Sequence, residues 1–501
     1  MKQKKTSRRW TLLLLPAGLL LVAGLSLWRR GVAQSPLLEP LPQDPQIQAF
    51  FNQSQAARYR EPYRGQERLG DDLERVLIDA ILSARRSLDI AVQELRLPRI
   101  AEALVQQQRA GVRVRVIVEN NYRRPLSQVS AAETGRMTER DRARYQESLR
   151  LMDENGDGRI SPQEAARRDA LVMLENARVP LIDDTADGSK GSGLMHHKFV
   201  VVDNQVVIVG SANFTTSDIH GDFGAPASRG NPNHLLRIQN IALAQIFTDE
   251  FNLMWGDGPG GRTDSRFGLQ KTARFAERSL RESPRSALLA PTSRVTVQFS
   301  PTSPSQPWQV SVNGLIGRAL SASQRQVDLA LFVFSDQNLG NALEIQQQKG
   351  VQVRALIDPG FAFRTYSEGL DMMGVALPDA QCRIERGNKT WGRAIATVGV
   401  PTLPEGDLLH HKFAVIDQQR VITGSQNWSA AANHSNDENL LVIDNATVAA
   451  HFQREFERLY ATAELGVPGW LQQKAQQEQS RCGLAPAGAG RAVSEEVDGA
   501  E

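Results

Sequence analysis

Cysteine is almost missing from this 501-residue sequence, which holds only Cys382 and Cys482. Two thiols 100 residues apart fit no zinc-binding spacing. They either pair in an oxidising compartment or stay free, Cys482 standing in a Gly/Ala-rich tail. A strong net charge is lacking too. The formal value is +2, but the first 34 residues carry seven Lys/Arg and no acid, leaving 51 basic against 56 acidic residues, about −5, in the remainder. A mildly acidic body excludes a general electrostatic grip on nucleic acid or anionic lipid, so any polyanion must be held locally. With 41% hydrophobic and 23% charged residues the chain is not globally disordered, and its length suits two domain-sized cores.

What is present begins with a charge-free, Leu-rich run from Trp10 to Leu27, preceded by Lys2, Lys4, Lys5, Arg8 and Arg9. Residues 1–34 therefore read as a signal peptide, with Gly31-Val32-Ala33 as a cleavage site, or as an uncleaved membrane anchor favoured by Arg29 and Arg30. Ser7-Arg8-Arg9 also has some likeness to a twin-arginine signal. Either way the positive-inside bias predicts an exported globular part: periplasmic, extracellular, or anchored to the outer face of a membrane.

The body is written twice. After a Pro/Gln-rich spacer, Leu73 to Ala84 shows helical spacing, Leu88 to Val92 is β-prone, Ile100 to Arg109 is helical and Val112 to Val118 alternates as a strand. This β-α-β pattern recurs 239 residues later, Asp89 matching Asp328 and Gly111 matching Gly350, with QQQRAGVRVRVIVEN answered by QQQKGVQVRALIDP. Farther on, His196-x-Lys198, Asp203 and Gly210-Ser211-x-Asn213 are repeated as His410-x-Lys412, Asp417 and Gly424-Ser425-x-Asn427 at an offset of 214. The closing helices, at Phe247 and Phe452, align at 205. The falling offsets place about 25 extra residues before the first motif and nine between Asn213 and Leu235.

The larger insertion, within about residues 138–175, has its own chemistry. Asp153, Asn155, Asp157, Ser161 and Glu164 stand at positions 1, 3, 5, 9 and 12 of an EF-hand calcium loop; Arg159 supplies the carbonyl at 7, Gly158 the turn at 6 and Ile160 the apolar residue at 8. Polar helices over Thr138 to Met152 and Pro162 to Glu175 flank it. A bound Ca2+ is expected to brace the insertion rather than to react, an acidic surface turn being the bland reading. Residues 257–293, with Arg262, Arg266, Lys271, Arg274, Arg278, Arg281 and Arg285 against four acids, read as a linker, and 472–501 as a disordered tail. The domains expected are thus 46–256 and 294–465.

In each copy, strand alternation projects His and Lys from one face. Two such faces brought together place two imidazoles and two ammonium groups around one phosphodiester. His197 and His411 point the other way and read as packing residues.

The doubled His-x-Lys-x4-Asp motif with Gly-Ser-x-Asn resembles the signature of the phospholipase D superfamily, over roughly residues 60–465. The resemblance implies an α/β fold of duplicated α-β-α sandwich domains with pseudo-twofold symmetry, and two-step catalysis through a phosphohistidine without a metal. It assigns His196 as nucleophile and His410 as acid/base, with Lys198, Lys412, Ser211, Asn213, Ser425 and Asn427 on the phosphate and Asp203 and Asp417 in support. Glu438 matches a carboxylate that orients a catalytic histidine. Its first-half counterpart is Asn233, so His196 is expected to take its orientation from elsewhere, with Asp222 the first guess. The second motif's tail, GSQNWSAAANHSNDENLLVI, is similar to endonuclease-type members and predicts DNA or RNA as substrate; a phospholipid is the alternative, and a non-catalytic calcium-dependent surface module a second one. With both halves in one chain, no oligomer is needed to complete the site.

Overall fold

A computed structural model describes residues 36–272, 284–290 and 293–483. The N-terminal segment and residues 484–501 of the tail lie outside the described residues. Among the described residues no helix is long and apolar enough to cross a membrane.

The strands in chain order are β1 (Ile47–Phe51), β2 (Arg58–Arg60), β3 (Glu67–Leu69), β4 (Ser87–Val92), β5 (Arg113–Val118), β6 (Leu181–Asp183), β7 (Lys198–Val202), β8 (Val206–Gly210) and β9 (His234–Gln239) in the first half. The second half adds β10 (Arg285–Ala290), β11 (Ser293–Phe299), β12 (Gln326–Leu331), β13 (Gln352–Ile357), β14 (Val398–Val400), β15 (Lys412–Ile416), β16 (Arg420–Gly424), β17 (Asn439–Asp444) and β18 (Glu464–Leu465). The first sheet runs β1-β9-β8-β7-β4-β5-β6, the second β10-β11-β17-β16-β15-β12-β13-β14-β18, and β2 and β3 form a separate hairpin. Each repeated strand keeps its offset: β4 and β5 match β12 and β13, β7 and β8 match β15 and β16, and β9 matches β17.

Strands buried on both faces need two covers. Outward, Leu73–Ser83 and Pro98–Arg109 close one core in the first half, and Val312–Ser321 and Gln337–Gln348 another in the second. Inward, a single core joins the halves through the closing helices Ile241–Trp255 and Ala446–Tyr460. Phe247 of the first half meets Phe299 of the second with ring centroids 5.3 Å apart, and Phe51 meets Phe452 at 5.1 Å. This shared core fixes the two motif strands against each other.

Three expectations change. The linker is not free chain throughout: Lys271 is buried between Glu250 of one half and Asp437 of the other, and Arg285–Ala290 joins the second sheet. The tail starts as a helix, Gly469–Arg481, with Leu471 and Ala475 buried on the second outer core. Cys382 and Cys482 are bonded, tying that helix to the loop at Asp379. In the insertion, helix Glu139–Met152 is capped by Thr138, whereas the helix expected over Pro162 to Glu175 divides into Pro162–Arg168 and Ala170–Asn176, because the Asp169 carboxylate caps Leu171 N and starts a new turn.

Candidate active site

The motif histidines stand just before β7 and β15, where the halves meet. Met195 and Asp437 form an isolated bridge, so the backbone entering His196 is paired with the backbone entering Glu438. The pairing crosses the pseudo-twofold axis: His196 Nδ1 donates to Glu438 Oε2 at 2.6 Å, and His410 Nδ1 to Asn233 Oδ1 at 3.0 Å. Glu438 therefore serves the histidine of the opposite half. Asp222 does not approach His196; it bonds Ser217 and the Ser228 hydroxyl. The carboxylate from this first-half segment is instead Asp218, 3.6 Å from His410 Nδ1.

Neighbouring groups determine the tautomers. The Nδ2 of Asn233 donates to the Asp218 carbonyl at 3.1 Å, which turns Oδ1 toward His410. An amide oxygen only accepts, so His410 carries a proton on Nδ1. Ser211 Oγ donates to the same oxygen at 2.7 Å, and Asn436 Nδ2 donates to Glu438 at 3.2 Å. Ser211 and Ser425, expected on the phosphate, are buried; Ser211 holds Asn233, while Ser425 bonds Glu438 and Asn439 N. Asn213 and Asn427 are half-buried, and the Oδ1 of each makes no hydrogen bond among the described residues.

Both lysines are buried and curl back, Lys198 Nζ onto the His196 carbonyl and Lys412 Nζ onto the His410 carbonyl, each at 2.8 Å. Burial lowers the Lys198 ammonium to about 8 against the pull of Glu438, Asp218, Glu119 and Glu94. Burial and repulsion by Lys198 lower Lys412 to about 7. Both motif imidazoles are held well below the usual value by burial and by these lysines, Asp218 opposing the shift at His410. Burial pushes Glu438 up to about 7, and Lys198 limits the rise. Burial also acts against the Asp218 charge, yet His410, Asn231 and the Asn213 N–H keep it below the ordinary carboxylate range. The two orienting groups thus differ: Glu438 is near its titration point and Asp218 is ionised.

Asp203 and Asp417 lie at the far ends of β7 and β15, in left-handed turns with φ of 53° and 54°. Each carboxylate accepts three backbone N–H groups, from Arg85, Arg86 and Ser87 or from Gln324, Arg325 and Gln326. They secure the turns and take no part in the cleft. His197 and His411 are buried packing residues, bonded to Glu250 and Glu455 of the closing helices.

Two carboxyls were missed in the sequence. Glu119 and Asp358 directly follow β5 and β13 and accept the backbone N–H of Met195 and Leu409, the residues before each histidine. Burial raises them to about 7 and about 6. The duplicated strings, in which Glu119 and Asp358 stand at matching positions one residue before the end, already carried that signal.

The calcium loop folds as a closed turn, with Gly156 and Gly158 left-handed at φ of 73° and 78°. The Asp153 carboxylate accepts N–H groups from Gly156, Asp157 and Gly158, while Glu164 accepts from Glu154, Asn155 and Ser161. Among the described residues no three His, Cys, Asp or Glu side chains are grouped as metal ligands. The hard oxygen donors still fit calcium by type and order, since a carboxylate has about four lone-pair sites and the N–H groups leave some unused.

The family described as "Cardiolipin synthase, PLD-like domain" matches residues 77–255 and again 316–460. A mouse protein named mitochondrial cardiolipin hydrolase is 32% identical over 145 residues, covering 28% of this chain and 55% of that protein. A phospholipase D of Rickettsia bellii is 29% identical over 157 residues, covering 31% and 64%. The chain spans roughly half the length of the curated relatives it matches. The solved phosphatidylserine synthase of Haemophilus influenzae covers 91% of this chain and 97% of its own at 14% identity and a TM-score of 0.54, a likeness of fold. The doubled family match and the doubled motif place the chain in the phospholipase D superfamily of phosphodiesterases.

Proposed function

We propose that this chain hydrolyses phosphodiesters in two steps through a covalent phosphoryl group on His196, with a nucleic-acid strand as substrate. The observation that carries the reading is the unequal, crossed pairing of the histidines with Glu438 and with Asn233 and Asp218. His196 Nδ1 is committed to Glu438, so Nε2 is the ring nitrogen offered to phosphorus. It forms the N–P bond as the P–O bond to the leaving group breaks, and His410, entering this step as the imidazolium that Asp218 and the anionic phosphodiester favour, passes its Nε2 proton to the leaving oxygen. His410 then takes a proton from water, whose oxygen attacks phosphorus and breaks the N–P bond. Lys198 and Lys412 neutralise the non-bridging oxygens, and Asn213 and Asn427 border them. Asp218 favours the imidazolium of His410, which suits the acid role.

Nucleic acid follows from the tail of the second motif. A phospholipid is the second reading, favoured by the relatives' names. Export through the N-terminal segment and calcium held by Asp153, Asn155, Asp157, the Arg159 carbonyl, Ser161 and Glu164 belong to the same proposal; the ion would brace the insertion. The test incubates the protein with plasmid DNA, RNA and phosphatidylcholine or cardiolipin vesicles in parallel, with His410→Ala as blank. Cleavage of DNA or RNA alone supports the first reading; lipid turnover alone replaces it with the second.

A further inference from the structure

Helix Glu139–Met152 lies in the larger insertion and is not used in the chemistry above. It nevertheless closes onto the catalytic cleft. The Glu147 carboxylate accepts the Phe223 and Gly224 N–H groups at 2.5 and 2.6 Å. That loop continues to Arg229 and Gly230, whose N–H groups hold Asp407 of the second half at 2.9 and 3.2 Å, and it begins just after Asp218, the carboxylate beside His410. The inserted helix is thus seated on the segment that serves His410.

One turn before Glu147, on the same helix face, stands the exposed Arg144. Its Nη1 donates to Tyr122 Oη at 2.9 Å, and its guanidinium lies 5.7 Å from the centre of that ring. Tyr122 follows the end of β5 by a few residues, close to Glu119. The carboxylates of Glu94 and Asp218 act electrostatically on Arg144, and the same two act on Lys198. Arg144 and the catalytic lysine therefore share one field. Its other N–H groups donate to no protein group among the described residues.

We propose that Arg144, delivered by the inserted helix, is a specificity-determining residue that binds a second phosphate of the substrate strand while Lys198 and Lys412 hold the scissile one. The inference rests on the nucleic-acid reading above. Lys198 and Lys412 are buried and committed to one spot by their own histidine carbonyls, so they serve a single phosphate. A mildly acidic body that takes a polyanion needs a further local cation. A guanidinium fixed by an aromatic ring, with donors to spare, matches phosphate geometry.

The test compares wild type, Arg144→Gln and Arg144→Lys on a single-stranded oligonucleotide and on bis(p-nitrophenyl) phosphate, which has one phosphate only, over a range of salt. In Arg144→Gln the ratio of kcat/KM on the oligonucleotide to that on the small diester falls roughly ten- to hundredfold, mainly through KM. Arg144→Lys recovers part of the loss. The slope of log kcat/KM against log salt on the oligonucleotide becomes shallower by about 0.7, one phosphate contact. An unchanged ratio and slope in Arg144→Gln overturns the proposal. Wild-type hydrolysis of the small diester without cleavage of the oligonucleotide overturns the nucleic-acid reading, and this inference with it.

Discussion

Replacing Glu438 by Gln keeps an acceptor for the His196 Nδ1 proton and removes only charge. Once His196 is phosphorylated on Nε2 and still protonated on Nδ1, its ring is cationic, and Glu438 Oε2, 2.6 Å from Nδ1 in the resting site, is the nearest counter-charge. Two unit charges about 4 Å apart at an effective dielectric constant of ~20 attract by about 4 kcal/mol. At about 1.4 kcal/mol per factor of ten, that corresponds to about three orders of magnitude in the first step. Burial raises Glu438 to about 7, so part of the enzyme is already protonated at neutral pH and the net loss is smaller, about 10²- to 10³-fold. The sign of the pH effect follows. A raised carboxyl is neutral below its pKa, so wild-type kcat/KM declines as pH falls through about 7, while Glu438→Gln lacks that limb. The assay is the pH profile of bis(p-nitrophenyl) phosphate hydrolysis for both proteins, with circular dichroism to verify folding. A kcat for Glu438→Gln within about threefold of wild type, or an acid limb common to both, refutes the role given to the carboxylate.

The lysines set the opposite limb: their lowered values mean that charge is present at low pH and lost as pH rises through about 7 for Lys412 and about 8 for Lys198, so KM rises above neutrality. A KM independent of pH up to about 9 contradicts this. Cys382→Ser with Cys482→Ser opens a loop 100 residues apart in sequence and lowers stability by about 3–5 kcal/mol in denaturant titrations. An unchanged midpoint would show that the bond adds nothing. Calcium binding predicts a Tm that rises on adding millimolar calcium and falls on chelation, with little change in turnover of the small diester; a Tm indifferent to calcium rejects the loop as a site.

Much of this architecture can be read from the sequence because a duplication carries its own control. The three offsets separated core from insertion and aligned each strand of β4, β5, β7, β8 and β9 with its partner. Spacing could not show which half orients which histidine. Glu438 reaches His196 through contact between residues 242 apart, set by the shared Phe core and the bridge at Met195 and Asp437. Asp218 is hidden in the sequence because no single first-half residue takes the place of Glu438: Asn233 and Asp218 together face His410. The helix Gly469–Arg481 has no full apolar stripe; Leu471, Ala475 and the disulfide hold it, which are tertiary and covalent effects. Lys271 looked like one more linker cation until its two buried carboxylate partners were in place.

The most direct measurement is a rapid-quench reaction of His410→Ala with bis(p-nitrophenyl) phosphate, followed by mass spectrometry of the peptides. The p-nitrophenolate leaving group needs no proton, so the first step proceeds, while the second lacks the base that activates water. The prediction is a burst of one p-nitrophenolate per protein molecule and a p-nitrophenylphosphoryl group on His196, with no burst from His196→Ala. A burst from His196→Ala, or an adduct on any other residue, would contradict the shared site with His196 as nucleophile.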